Sequence, residues 1–240
     1  DFEKPKGMAG LLGTRPSNGP VAVAPEDKPL LDPAKLHPKN FYILTQQAKR
    51  LMGEKKFAAA KEPLKTLLEN YPNHIGPDNA LWLLAQVHRE LKETAQEREV
   101  LTRLARLDAD SVDAYARLME LGAAGKDWPV VAENARRYLA VNPLVPLPYR
   151  WLATASEALK EPQVAIAAYQ TVLQLDPPDP AEVHYRLARL LHAAGDATAR
   201  RHVVQALEEA PRFREAHELL LQLSAASSKA GQPVGPSSPK

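Results

Sequence analysis

The chain has 240 residues, 45% hydrophobic and 25% charged, with 31 basic against 29 acidic side chains and no cysteine. That balance excludes a wholly disordered chain, a strongly cationic nucleic-acid binder, a disulfide framework and any site built on thiolates. The longest apolar runs, such as Leu81 to Ala85, fall far short of the roughly 18 residues that a membrane-spanning helix needs, so no transmembrane segment is expected.

From the N-terminus, residues 1–38 hold seven of the 22 prolines and four of the 11 glycines, with no helical or strand periodicity. Proline lacks the backbone donor that helices and central strands use, so this stretch is predicted to be an extended arm or linker. Its short apolar clusters (Met8, Leu11, Leu12; Val21, Ala22, Val23; Leu30, Leu31) suit an arm that orders on a neighbouring subunit. The start at Asp1, with neither Met nor a signal-like segment, fits a processed chain or a piece of a longer one.

A repeat follows. Pro143, Pro177 and Pro211 are 34 residues apart, and Ala109 holds the equivalent place 34 before Pro143. Pro72 comes 37 before Ala109, which places three extra residues within Asn73–Asp78. Five units result: 39–72, 78–109, 112–143, 146–177 and 180–211. In each, an apolar helix is followed by a polar turn and a second apolar helix. The tight-packing residues of the first helices are Ala48, Ala85, Met119, Ala153 and Ala188, where two helices must approach closely. In the turns, Gly53, Gly125 and Gly195 are placed to supply left-handed helix endings. Second helices carry apolar residues three and four apart, as in Phe57, Ala60, Leu64 and Leu67, or Ala165, Ala168, Tyr169 and Val172, which form one buried stripe. Arg214–Ala226, rich in leucine, is predicted to be a capping helix within 212–226, and 227–240 a disordered tail of Ser, Pro and Gly.

Thirty-four-residue units with a small residue at the eighth place, alanine at the twentieth (Ala60, Ala165, Ala199) and proline at the thirty-second (Pro72, Pro143, Pro177, Pro211) resemble the tetratricopeptide (TPR) repeat. The resemblance covers about residues 39–226. It implies an all-α fold: a right-handed α-solenoid of about five helix-turn-helix units plus a cap, with a concave inner groove. Departures are Glu97 and Val131 in place of alanine, Ala109 in place of proline, and a turn one residue short near Asp196–Thr198.

No catalytic, cofactor or metal site emerges. None of the seven histidines lies in a His-Glu-x-x-His motif, and each is read as structural. There is no Gly-x-Ser-x-Gly elbow and no glycine-rich phosphate cradle. Basic and acidic residues balance over 39–226, which argues against phosphate-backbone binding and hence against a nucleic-acid partner.

What remains is recognition. The resemblance places Trp82, Arg117, Arg150, Trp151, Tyr185, Arg186, Arg189 and His192 on or beside the groove as candidate peptide-binding residues. Only Arg117 matches the lysine and asparagine set with which some relatives clamp a terminal carboxylate, so capture of chaperone tails is rejected. Arg150, Arg186, Arg189 and His192, near Trp151 and Tyr185, suit an acidic or aromatic segment, unless Glu157 and Glu182 neutralise them. The expectation is a non-enzymatic scaffold that binds a protein or peptide partner through the groove, the arm or both, as a subunit of a larger assembly. The alternative is the non-catalytic C-terminal region of a larger exported, metallopeptidase-like hydrolase, a style of chain that favours export or the periplasm over the cytoplasm.

Overall fold

The computed structural model describes residues 40–76 and 78–230, with only the backbone of 226–230. The arm at 1–38 and the end of the tail at 231–240 lie outside the described residues. Eleven helices, and no strand, are present among the described residues. They run as α1 (Phe41–Gly53), α2 (Phe57–Asn70), α3 (Ala80–Glu90), α4 (Thr94–Leu107), α5 (Val112–Ala124), α6 (Trp128–Val141), α7 (Pro146–Ala158), α8 (Pro162–Gln174), α9 (Pro180–Ala193), α10 (Ala199–Glu209) and α11 (Arg214–Ala230). Consecutive helices pack on one another, and α11 closes over α9 and α10, so the architecture is an all-α solenoid of five helix pairs and a capping helix. The cap runs past Ala226, because Ala-Ser-Ser-Lys-Ala offers no proline or glycine to stop it before Gly231.

Helix starts follow local chemistry. Asn40 and Asn79 accept from the amides two residues on, Tyr42 N at 2.9 Å and Leu81 N at 2.8 Å, which satisfies a donor that has no partner within the helix. The helices α6 to α9 carry proline in their first turn, where the missing N–H costs nothing.

The turns inside the five pairs share one geometry, and it corrects the glycine reading. The left-handed residue is lysine four times, Lys55, Lys92, Lys126 and Lys160 with φ of 57°, 58°, 55° and 61°, and glycine once, Gly195 at 74°. Gly53 is the last residue of α1, and Gly125 keeps a right-handed φ of −88°. In every pair the left-handed residue donates to the carbonyl three back and the next residue to the carbonyl five back, as in Lys126 N to Ala123 O (3.0 Å) and Asp127 N to Gly122 O (2.8 Å). This is the paired hydrogen bonding of a Schellman ending. The lysines are exposed, so their heads stay hydrated while the backbone bears the strain.

Three residues that follow the left-handed lysines then tie each pair to the one before. Glu93 meets Lys61 of α2 at 2.6 Å, Asp127 meets Arg98 of α4, and Glu161 meets Arg136 of α6 at 3.4 Å. Such half-exposed pairs are each worth well under about 1 kcal/mol, so their contribution is register rather than bulk stability.

Apolar burial does the rest. Ala48, Ala153 and Ala188 are fully buried and Ala85 nearly so. One cluster joins α1, α2 and α3 through Leu44, Leu64, Leu67 and Val87; the next joins α3, α4 and α5 through Leu81, Leu101, Leu104 and Leu118. A third runs from Met119 to Ala199, and the last seats Ala216 and Leu219 of the cap on Ala188, Val203 and Ala206. The departures at the small positions find local compensation. Val131 is fully buried because Gly122 faces it: a Cβ on Gly122 would lie 2.9 Å from the valine's Cγ2.

Because a left-handed conformation costs a residue with a side chain about 1 kcal/mol or more, Lys126→Gly should stabilise the chain by roughly 1 kcal/mol in urea denaturation. Gly125→Ala, at a right-handed φ, should not stabilise it by that route.

Candidate peptide-binding groove

Trp82 and Arg117 share one open cavity of about 470 Å³. Met52, Phe57, Trp82 and Leu101 supply its apolar lining, and Gln86, Arg89 and Arg117 its polar lining. The helices α1, α3 and α5, the first of each pair, bring most of these residues together. The resemblance placed Trp82 and Arg117 on or beside the groove; it missed Met52, Lys55 and Phe57 around the first pair's turn, which only the path of the chain brings near.

Arg117 is locked. Its Nε donates to Glu97 Oε1 at 2.6 Å, Nη2 to Glu97 Oε2 at 3.1 Å and Nη1 to Glu120 Oε2 at 2.8 Å. The Glu97 side chain is 3% exposed, so the carboxylate that replaces an alanine in the second repeat is sustained by an arginine arriving from the third. Hydrogen bonding to Glu97 holds the guanidinium above the usual arginine range. The bidentate pair is an anchored wall of the cavity rather than a loose cation.

In the fourth and fifth pairs, Arg150 and Arg186 also have acidic partners. Arg186 donates from Nε to Glu182 at 2.6 Å and lies 3.5 Å from Glu157, while Arg150 lies 3.8 Å from Asp179. Arg150, Arg186 and Tyr169 line a separate cavity of about 120 Å³, and burial followed by its bond to Glu157 pushes the Tyr169 phenol up to about 12. Tyr185 packs on Phe213 with centroids 4.8 Å apart, and Arg189 lies over its ring at 5.8 Å. Trp151 rests against the core around Leu152 and Leu187, and His192 is exposed at the end of α9; neither lines these two cavities. The eight candidates therefore fall into separate groups. Within the group that pointed to an acidic segment, Glu157 and Glu182 meet Arg186 and Asp179 meets Arg150, while Arg189 is exposed beside Tyr185.

One association was invisible in the sequence. His184 of α9 and His202 of α10 stack with Nδ1 atoms 3.0 Å apart, and burial lowers both imidazoles below their ordinary value. Among the described residues, no group of three or more His, Asp or Glu is placed to hold a metal ion, and no helix is long and apolar enough to cross a membrane.

The tetratricopeptide repeat family pattern matches residues 45–112, 115–180 and 152–201, and the chain belongs to that family. No curated protein sequence is significantly similar to it. Among solved structures, the chain is similar to MamA, with 17% identity over 81% of this chain and 97% of that one and a TM-score of 0.53. MamA 41-end from Desulfovibrio magneticus RS-1 matches at 18% identity over 72% and 96%, with a TM-score of 0.51. YrrB, described as a TPR protein with an unusual peptide-binding site, matches at 12% identity over 76% and 92%, with a TM-score of 0.59. At such identities the likeness concerns the fold.

Removing one partner of a buried ion pair leaves an uncompensated charge, at a cost of about 3 kcal/mol or more. Arg117→Met should therefore destabilise the chain by about 3 kcal/mol in urea at neutral pH. Glu97→Ala, which restores the family's small residue, should cost less than half as much, and the double variant should be more stable than Arg117→Met alone.

Proposed function

We propose that this chain is a non-enzymatic interaction scaffold that holds a segment of a partner protein in the trough of α1, α3 and α5, with Trp82 at its centre. Members of the family are typically protein-interaction scaffolds, and YrrB is described as having a peptide-binding site. The observation that carries the reading here is the cavity beside Trp82, whose volume of about 470 Å³ suits one or two large side chains. Its walls are helical and cross-linked by Arg117, Glu97 and Glu120, so an occupant docks without ordering the site first. A tryptophan that is half-buried before binding and fully covered after it is a strong anchor. The same rigid frame suits a subunit of a larger assembly, in which the groove holds one neighbour.

Affinity capture from the source organism with the full chain, followed by titration of synthetic segments of the captured protein, tests this. Trp82→Ala should weaken the segment by about tenfold or more, with the helical circular dichroism retained and the melting curve lowered because Trp82 also packs on the cluster of Leu81, Leu101 and Leu118, and Gln86→Arg should weaken it with the melting curve unchanged. Unchanged affinity in both variants would remove recognition from this trough.

A further inference from the structure

Trp82 lines a second cavity as well, of about 300 Å³, on its other side. This one is bounded by the starts of α3 and α5, and its rim carries Asp78, Asp108, Asp110 and Asp113. Asp78 is paired with Lys49, but the carboxylates of Asp108, Asp110 and Asp113 make no ion pair among the described residues. Two helix starts each bring about half a positive charge, which offsets part of the three negative ones and leaves this end distinctly acidic. In its wall Asn79 is 4% exposed, with no partner for its side-chain Nδ2 among the described residues, so the site is not a purely apolar one.

The other end, beside Met52 and Phe57, is different in kind. Lys55, Arg89 and Glu90 share its lining, and Arg117 is balanced by Glu97 and Glu120, so its charges nearly cancel while its apolar walls remain. From Asn79 to Arg89 the helix rises about 15 Å, the reach of four or five residues of extended chain. The trough thus has an apolar chamber, an indole in the middle and an acidic mouth.

Resting on the reading of this trough as the binding site, we infer that its occupant is an extended segment with a large apolar side chain in the chamber beside Trp82 and lysine or arginine residues at the mouth formed by Asp108, Asp110 and Asp113. This reverses the acidic partner suggested by the arginines of the fourth and fifth pairs, of which Arg150 and Arg186 are met by Asp179, Glu157 and Glu182. Surface charge pairs of this kind act individually weakly and together set preference and association rate.

The test is fluorescence anisotropy of the full chain with three capped, labelled heptapeptides, each with a central phenylalanine flanked by lysines, by serines or by glutamates, at low salt. The lysine peptide should bind about tenfold or more tighter than the glutamate peptide, with the serine peptide between them. That preference should fade as salt rises. Asp110→Asn with Asp113→Asn, both exposed and outside the core, should abolish the preference for the lysine peptide over the glutamate peptide. Three equal affinities that all fall in Trp82→Ala would overturn the basic-segment inference while the trough remains the site. Tighter binding of the glutamate peptide would overturn the inference as well. Binding of no peptide, or binding indifferent to Trp82→Ala, would remove both readings.

Discussion

A pair of helices about 30 residues long cannot bury its own apolar stripe, and the rest of this structure depends on that constraint. Each pair is completed by the next, at contacts where only a small or tightly fitted side chain is accommodated: Ala48, Ala85, Met119, Ala153 and Ala188 are all at most 2% exposed. Clusters of buried residues accordingly join neighbouring pairs, and the last pair needs α11 to cover it. Turns with a left-handed residue, lysine in four pairs and Gly195 in the fifth, then set each second helix against its first, and Glu93, Asp127 and Glu161 join successive pairs at the rim.

The groove inherits its rigidity from this stacking. Trp82 and Arg117 belong to different repeats, and they flank one cavity because α3 and α5 are neighbours in the stack. The carboxylate of Glu97 occupies a place where alanine would ordinarily sit, so close approach is traded there for a buried, bidentate ion pair that fixes the guanidinium. Two cavities, one largely apolar and one rimmed by aspartates, share the Trp82 side chain in this stack.

Much of the fold was legible because its period is written in the chain. Proline and alanine recurring at 34 residues located the pairs, and leucines at three- and four-residue spacing located their buried sides. What the sequence could not show were contacts made between repeats. Glu97 read as an irregularity and Arg117 as a lone clamp residue, though each explains the other. Glu157 and Glu182 were visible as neutralising partners of the arginine group, but Asp179 was not, because it reaches Arg150 across the junction of two pairs. The left-handed residue was assigned to glycine on conformational preference, whereas the lengths of α1, α3, α5 and α7 place it on lysine. Trp151 packs on a core cluster while its neighbour Arg150 lines the small cavity, a difference between adjacent positions that a repeat pattern does not show.

If pairs are stabilised by their neighbours alone, damage at one end should stay there and leave the groove standing. Amide hydrogen exchange on the Ala188→Asp variant measures this directly, since that charge would be buried between α9, α10 and α11. The account predicts lost protection in α9 to α11, with α1 to α5 and the cavity beside Trp82 protected as in the unmodified chain. Loss of protection spreading through α1 to α4 would contradict it, and would mean that the solenoid and its groove stand or fall as a single unit.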